Sequence, residues 1–418
     1  MRSIYRTRCR FGPLFLALAS LAPSCLAGEL QPPVPPMPHA LKSIGGSNPV
    51  LGSDGSLLFV VGGDNRPTQK GAPLPPVLAT IFQEVGWIHP ELVLWSGDTV
   101  FGYCDSASEL EEEYRRFRAI AERPKVPLYN APGNHEIHDD ISFCSGEEKR
   151  QVCAGEPCAV AAYRSHFGDL YGSFNVADIH FVALDAEQIG KQYPEIDPIQ
   201  IQWLREDLEG HKSDRAIFVF LHSEFYSSPL IDFGQGQSHP SIVNRAELHE
   251  LFRRYPVKAV FSGHEHVYWR EPAENHDFVN YIVSGGAGAP LYASPDRGGF
   301  AHYLLVRVTG KGRDLRVSYN VIEPGHLAVG EGARAPGGDT LWFVNGNDTG
   351  DLLLPIRKLE VTLPAGRYGS CGQFRAGVQA GYSIAACTDA ADSLNVVLAP
   401  FEVKPGQSVK LWVGRKKG

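Results

Sequence analysis

Positive charge is scarce in this 418-residue chain, which carries a formal net charge of -8 with both signs interspersed and no long run of either. That balance argues against a surface that holds nucleic acid or an anionic membrane through basic patches. No internal repeat is present, so solenoid architectures are excluded. The stretch "CSGEEKRQVCAGEPC", residues 144–158, contains no C-x-x-C pair, which disfavours a thiolate zinc site there. With 43% hydrophobic and 21% charged residues, the chain is neither disordered nor fibrous and is long enough for one large domain and a smaller companion.

The N-terminus reads as an export signal. Arg2, Arg6, Arg8 and Arg10 form a basic region, "FGPLFLALASLA" an apolar one, and "SCLAG" offers cleavage after Ala27. The apolar run is too short to span a bilayer comfortably, so no membrane span is expected once residues 1–27 are removed. A secreted or periplasmic protein is therefore expected. Lipidation at Cys25 is the weaker alternative, because "LAPSC" fits that signal poorly. Cys104, Cys144, Cys153, Cys158, Cys371 and Cys387 remain after cleavage, an even set suited to disulfides in an oxidising compartment. Cys371 with Cys387 is the natural local pair, and the other four can pair in three ways.

Residues 28–50 are rich in proline and small residues and read as an extended leader. From residue 51 to about 330, strand-like and helix-like runs alternate. "SLLFVVGGD", "ELVLWSGD", "VPLYNAPGNH", "RAIFVFLHSE", "KAVFSGHEH" and "NYIVSGGAG" read as strands; "SASELEEEYRRFRAIAE", "DPIQIQWLREDLEG" and "NRAELHELFRRY" read as helices. Ser106 and Glu109 have capping-box spacing, and Asp197 before Pro198 is an N-cap ahead of proline. This is an α/β pattern. Residues 331–418 lack helical periodicity and read as a small all-β domain, its partner unassigned.

Five of these strands stop at groups able to bind a metal: Asp64, Asp98, Asn134 with His135, His222, and His264 with His266. Loops beyond the carboxyl ends of strands in open α/β sheets gather into one crevice, so distant positions can meet there. A lone histidine is usually a satisfied core or surface residue; an ordered series of such strand ends points to a metal site.

In their order, "GGDNR", "SGDTV", "GNHE", the histidine of "FLHSE" and "GHEH" resemble the motifs of the calcineurin-like metallophosphoesterases, over roughly residues 55–320. A secreted, purple acid phosphatase-related member is one form this takes. The resemblance implies a two-layered β-sandwich flanked by helices, holding two divalent or trivalent ions, Fe, Mn or Zn, about 3.5–4 Å apart. By family position Asp98 bridges the ions, Asp64 and His266 hold the first, and Asn134, His222 and His264 hold the second. The implied reaction on a small phosphorylated substrate is attack of a metal-activated water on phosphorus, with His135 as proton donor to the leaving oxygen. His138 reads as a loop residue or a substrate contact, and Glu136 and Glu265 as acceptors orienting neighbouring histidines.

Two motifs, "GGDNR" and "FLHSE", depart from the family pattern. Arg66 stands where a first-metal histidine is common, and as a cation it cannot ligate; it can grip a phosphate oxygen or form a structural ion pair. Tyr103 is a possible additional ligand, since purple acid phosphatases place a tyrosinate near this point, though at GDxxY rather than "GDTVFGY" spacing. Serine also precedes Glu224 where proline is common. The leading expectation is an exported phosphomonoesterase in which Arg66, Asn134 and His135 contact substrate. The alternatives are a phosphodiesterase or nucleotide hydrolase, and an exported binding or surface protein whose phosphoesterase domain is inactive.

Overall fold

The computed structural model of the chain describes residues 39–418 apart from 103–105, 138–151, 154–155, 188–192, 232–240, 326, 336–337, 346–353, 365–369, 373, 379–382, 404–407 and 416–418. The expected signal and the first part of the leader lie outside the described residues. In chain order the α/β region forms β1 (Leu57–Gly62), α1 (Pro76–Ile88), β2 (Leu92–Trp95), α2 (Ala107–Ala121), β3 (Leu128–Asn130) and the single turn α3 (Asn134–Ile137). The short pair β4 (Val152–Cys153) and β5 (Glu156–Pro157) leads to α4 (Cys158–Phe167), β6 (Gly172–Val176) and β7 (Ile179–Ala183). Next come α5 (Pro198–Gly210), β8 (Ala216–Phe220), α6 (Arg245–Phe252), β9 (Val257–Ser262), β10 (Tyr268–Glu271), β11 (Asn280–Ser284), β12 (Tyr303–Thr309) and β13 (Arg316–Ile322).

Two sheets stack face to face, one in the order β13-β12-β1-β2-β3 and the other β10-β11-β9-β8-β7-β6. β1 shows why. Its residues are buried along the whole strand, and alternate side chains serve different cores: Leu58 and Val60 pack with α1 and α2, Leu57, Phe59 and Val61 with the second sheet. A strand covered on both faces must be apolar throughout, and central parallel strands are; β1 pairs in parallel with β2. Between the sheets Phe59 meets Phe181, Phe218 and Phe261 at centroid distances of 5.5, 5.1 and 6.1 Å. Burying each such ring contributes roughly 2–3 kcal/mol. On the far face of the second sheet Ile217, Val219 and Val260 pack with Leu204, Leu208 and Leu248 of α5 and α6. The result is a two-layered β-sandwich flanked by helices.

The helices begin where local chemistry favours it. Ser106 and Glu109 form a reciprocal capping box on α2, and Asp197 caps α5 by accepting from the amides of Ile199 and Gln200 ahead of Pro198. α1 has no side-chain cap and no acidic first turn, so proline at its first position is the start signal it offers. Burial of Leu78, Ile81, Phe82, Val85 and Ile88 forms it.

The leader does not stay clear of the domain. Ile44 is buried in the core with α1 and α2, and it exchanges backbone hydrogen bonds with Leu128 of β3, 3.0 and 2.9 Å. Beyond β13 the only regular elements among the described residues are strands, and the boundary read at residue 330 falls within the strand Leu327–Ala335, which pairs with Gly338–Asn345. Cys371 and Cys387 are disulfide-bonded. Ile356, Leu359, Leu363, Val396 and Val403 share the core of α1 and α2. Arg357 also bonds Glu91 at 2.6 Å, and the Arg357 and Lys358 amides both donate to the Trp87 carbonyl. Among the described residues no helix is long and apolar enough to cross a membrane.

Candidate metal centre

The site forms at the carboxyl ends of β1, β2, β3, β8 and β9, where loops turn sharply. Asp64, Asp98 and His264 all adopt left-handed backbone conformations, with φ of 61, 53 and 67°. Side chains other than glycine rarely tolerate this, and such strain gathers at functional sites. Close packing holds it in place: Asp64 N donates to Gly97 O at 3.0 Å and Asn65 N to Asp98 O at 3.1 Å, joining the first two loops. A Cβ on Gly133 would lie 2.4 Å from Asp98 Oδ1, and one on Gly263 2.1 Å from Asp64 Oδ2, so the motif glycines let backbone approach the carboxylates.

Asn134 Oδ1 lies 2.8 Å from His222 Nε2 and 3.1 Å from His264 Nδ1, and the two histidine nitrogens are 3.1 Å apart. His222 Nδ1 faces the Ser96 carbonyl at 2.7 Å and so carries the proton, turning the lone pair of Nε2 toward Asn134 and toward Asp98 Oδ1 at 3.4 Å. Electron-pair donors facing one another are what a cation fits. On the other side His266 Nε2 is 3.5 Å from Asp64 Oδ1, its Nδ1 fixed by the Pro290 carbonyl at 2.5 Å. Donor atoms of Asp64, Asp98 and His222 all lie within 4.8 Å of one another. Asp98 stands between the groups, its Oδ2 facing Arg66 Nε at 3.5 Å and His135 Nε2 at 3.8 Å.

Charge favours a cation here as well. Burial, then the neighbouring Asp98, pushes the Asp64 carboxyl well above the ordinary range; burial lifts Asp98 to about 7 against the pull of Arg66. Two buried carboxylates held together are costly as anions, and a multivalent cation offsets that cost. Burial lowers His222 to about 4, leaving it neutral as a ligand must be. His135 is pushed well below its usual value, first by burial and then by Arg66, while its Nδ1 bonds the Phe101 carbonyl.

All the sequence-derived positions that the structure describes meet here: Asp64, Arg66, Asp98, Asn134, His135, His222, His264 and His266. Tyr103 and His138 lie outside the described residues, as do Cys104 and Cys144. Cys158 is disulfide-bonded. Glu136 and Glu265 act differently from the expectation. Glu136 accepts from the amides of Asp98, Thr99 and Gly133 at 2.9, 2.5 and 2.8 Å, bracing the Asp98 loop rather than a histidine. Glu265 accepts from Ser227 Oγ and Ser228 N. Backbone carbonyls of Ser96, Pro290 and Phe101 orient the imidazoles instead. Sequence reasoning also missed Tyr292, whose ring lies on His266 (centroids 4.1 Å, planes 19° apart) and whose hydroxyl bonds Arg66. The signal available was the aromatic ending "SGGAGAPLY".

Behind the glycine-rich loop His302 is fully buried, Nδ1 2.9 Å from Phe300 O and Nε2 without a hydrogen-bond partner among the described residues. Burial lowers it from 6.5 to about 4. The unfolded chain therefore takes up a proton that the folded chain refuses, and stability present above pH 6.5 is lost as pH falls toward 4. The expected loss is roughly 2 kcal/mol by pH 5. Urea midpoints of wild type and His302→Gln at pH 7 and 5 check this: the variant's drop should be smaller by that amount, and equal drops would refute it.

Residues 75–268 match the family model for calcineurin-like phosphoesterase, a span that includes Asp98, Asn134, His135, His222, His264 and His266. The sandwich fold and the strand-end donors lie within or beside this matched span. Over these residues the chain is similar to the calcineurin-like phosphoesterase family. It is 34% identical to purple acid phosphatase 23 of Arabidopsis thaliana over 157 residues, covering 35% of this chain and 30% of the relative. It is 31% identical to the Fe(3+)-Zn(2+) purple acid phosphatase 12 of the same plant over 114 residues, 25% of this chain and 23% of that one. Against the human serine/threonine-protein phosphatase CPPED1 the identity is 26% over 192 residues, 45% and 55% of the two chains. The matches thus span from about a quarter to about half of these relatives' lengths.

Proposed function

We propose that the protein is an exported, dinuclear metal-dependent phosphoesterase that hydrolyses small phosphate esters, monoesters ahead of diesters. The observation that carries this is the meeting of five strand-end donors around Asp98, whose Oδ1 faces His222 and whose Oδ2 faces Arg66 and His135. Asp98 would be shared between the ions, with Asp64 and His266 holding one and Asn134, His222 and His264 the other. Imidazole, amide and carboxylate donors suit Fe, Mn or Zn, and the relative bearing Fe(3+) and Zn(2+) in its name supports that choice. When bound, such a pair supplies an activated water and offsets charge on the phosphoryl oxygens.

The chain's own side chains do the rest. Arg66 Nε, buried and without a hydrogen-bond partner among the described residues, faces the Asp98 carboxylate at 3.5 Å and is placed to donate to a phosphoryl oxygen, and its charge favours the more anionic monoester. His135, its Nδ1 tied to Phe101 O, presents Nε2 on the Asp98 side to protonate the leaving oxygen; burial opposes its charged form and the anionic ester favours it. The basic and apolar segments of residues 1–27 and the disulfides of Cys371–Cys387 and Cys158 support export. The C-terminal all-β region, residues 331–418, contributes no donor to the centre among the described residues.

Turnover of an aryl phosphate and its bis-aryl counterpart by the mature chain, loaded with Mn, Zn or Fe, tests the proposal. Higher kcat/KM on the monoester is expected. A preference for the bis-ester would reverse the substrate assignment, and an inert protein retaining no metal would favour the binding-protein alternative.

A further inference from the structure

The two sides of the centre are not built alike. His222, His264 and Asn134 present donor atoms within 3.1 Å of one another, with Asp98 Oδ1 3.4 Å from His222. The opposite side has Asp64 and His266, and the Asp98 oxygen that does not face His222 is already faced by a guanidinium: Arg66 Nε is 3.5 Å from Asp98 Oδ2. Arg66 is held there. It donates to Pro67 O at 3.4 Å and to the hydroxyl of Tyr292, whose ring in turn lies flat on His266.

A fixed positive charge beside a carboxylate competes with a metal ion for it, and arginine does not lose its proton. We propose that Arg66 makes the two cation positions unequal, so that the Asp98–Asn134–His222–His264 position fills first and the Asp64–His266 position only at higher free metal. This rests on the metal centre proposed above and adds an order of filling to it. Tyr292 is a positioning residue in this arrangement: it keeps the guanidinium on the Asp98 side rather than letting it swing to solvent. Second-ion occupancy would then follow the metal supply, and the protein as isolated would retain nearer one ion than two.

The test uses the full mature chain, stripped with chelator and equilibrated against buffered free Mn2+, with bound metal counted by mass spectrometry. Wild type should fill in two steps separated by at least about tenfold in free Mn2+, given the size of Coulomb terms in a site shielded from water. Arg66→Gln should lower the second step by about tenfold and leave the first in place. Tyr292→Phe should move the second step the same way by less, and Arg66→Lys should keep the separation. Two ions binding in one step to wild type would overturn the inference. So would a second step that Arg66→Gln leaves unmoved while its urea midpoint matches wild type. Failure of any ion to bind at the highest Mn2+ would instead remove the metal centre itself.

Discussion

Asp98→Asn is expected to lower kcat/KM for an aryl phosphate by at least about 10³-fold and to leave the metal-free fold as stable as wild type or slightly more so. The two halves of this result have one cause. Asp98 uses both oxygens, one toward His222 and one toward Arg66 and His135. An amide of the same shape keeps only one acceptor oxygen and no charge, so it could not hold two cations as the carboxylate can. Without metal the same carboxylate is a burden: it is buried, and it lies close enough to Asp64 to push that carboxyl up. Removing its charge relieves the repulsion, worth on the order of 1 kcal/mol. The amide of residue 98 still donates to Glu136 at 2.9 Å, so the loop keeps its brace. Kinetics, metal content and the urea midpoint of the stripped protein should be measured together. Near-wild-type turnover with full metal content would sink the bridging role, and an unfolded variant would show Asp98 to be structural.

The donors were legible in the sequence for a physical reason. Central strands buried on both faces are apolar from end to end, so a polar residue at the end of "FVVGG" or "AVFSG" stands out, and parallel strands deliver those ends to one side of the sheet. α2 and α5 were legible through their caps at Ser106 and Asp197. α1 was harder to read, because its start carries proline but no capping side chain and its buried face is nearly all apolar. Glu136 was misread because proximity in sequence to His135 suggested a partner, whereas its side chain turns back to the Asp98 loop. Tyr292 comes to the centre from a loop after β11, far in sequence from every donor. No spacing rule connects it to His266, and stacking is a property of the folded chain alone.

Replacing His135 by Ala should separate proton donation from packing. The imidazole's Nδ1 is committed to Phe101 O and its Nε2 lies 3.8 Å from Asp98 Oδ2, so Nε2 is the nitrogen from which a proton can reach a leaving oxygen near the centre. A general acid matters in proportion to how badly the leaving group needs its proton. With an alkyl phosphate, whose alkoxide is a poor leaving group, the variant should lose about 10²–10⁴ in kcat/KM. With a nitrophenyl phosphate, whose phenolate leaves unaided, the loss should be less than about tenfold. His135 N also donates to Asp98 Oδ1 at 3.2 Å, but that bond belongs to the backbone and survives the substitution, so the carboxylate stays positioned in both assays. An equal loss on the two esters would mean that the side chain supports the loop and that another group supplies the proton.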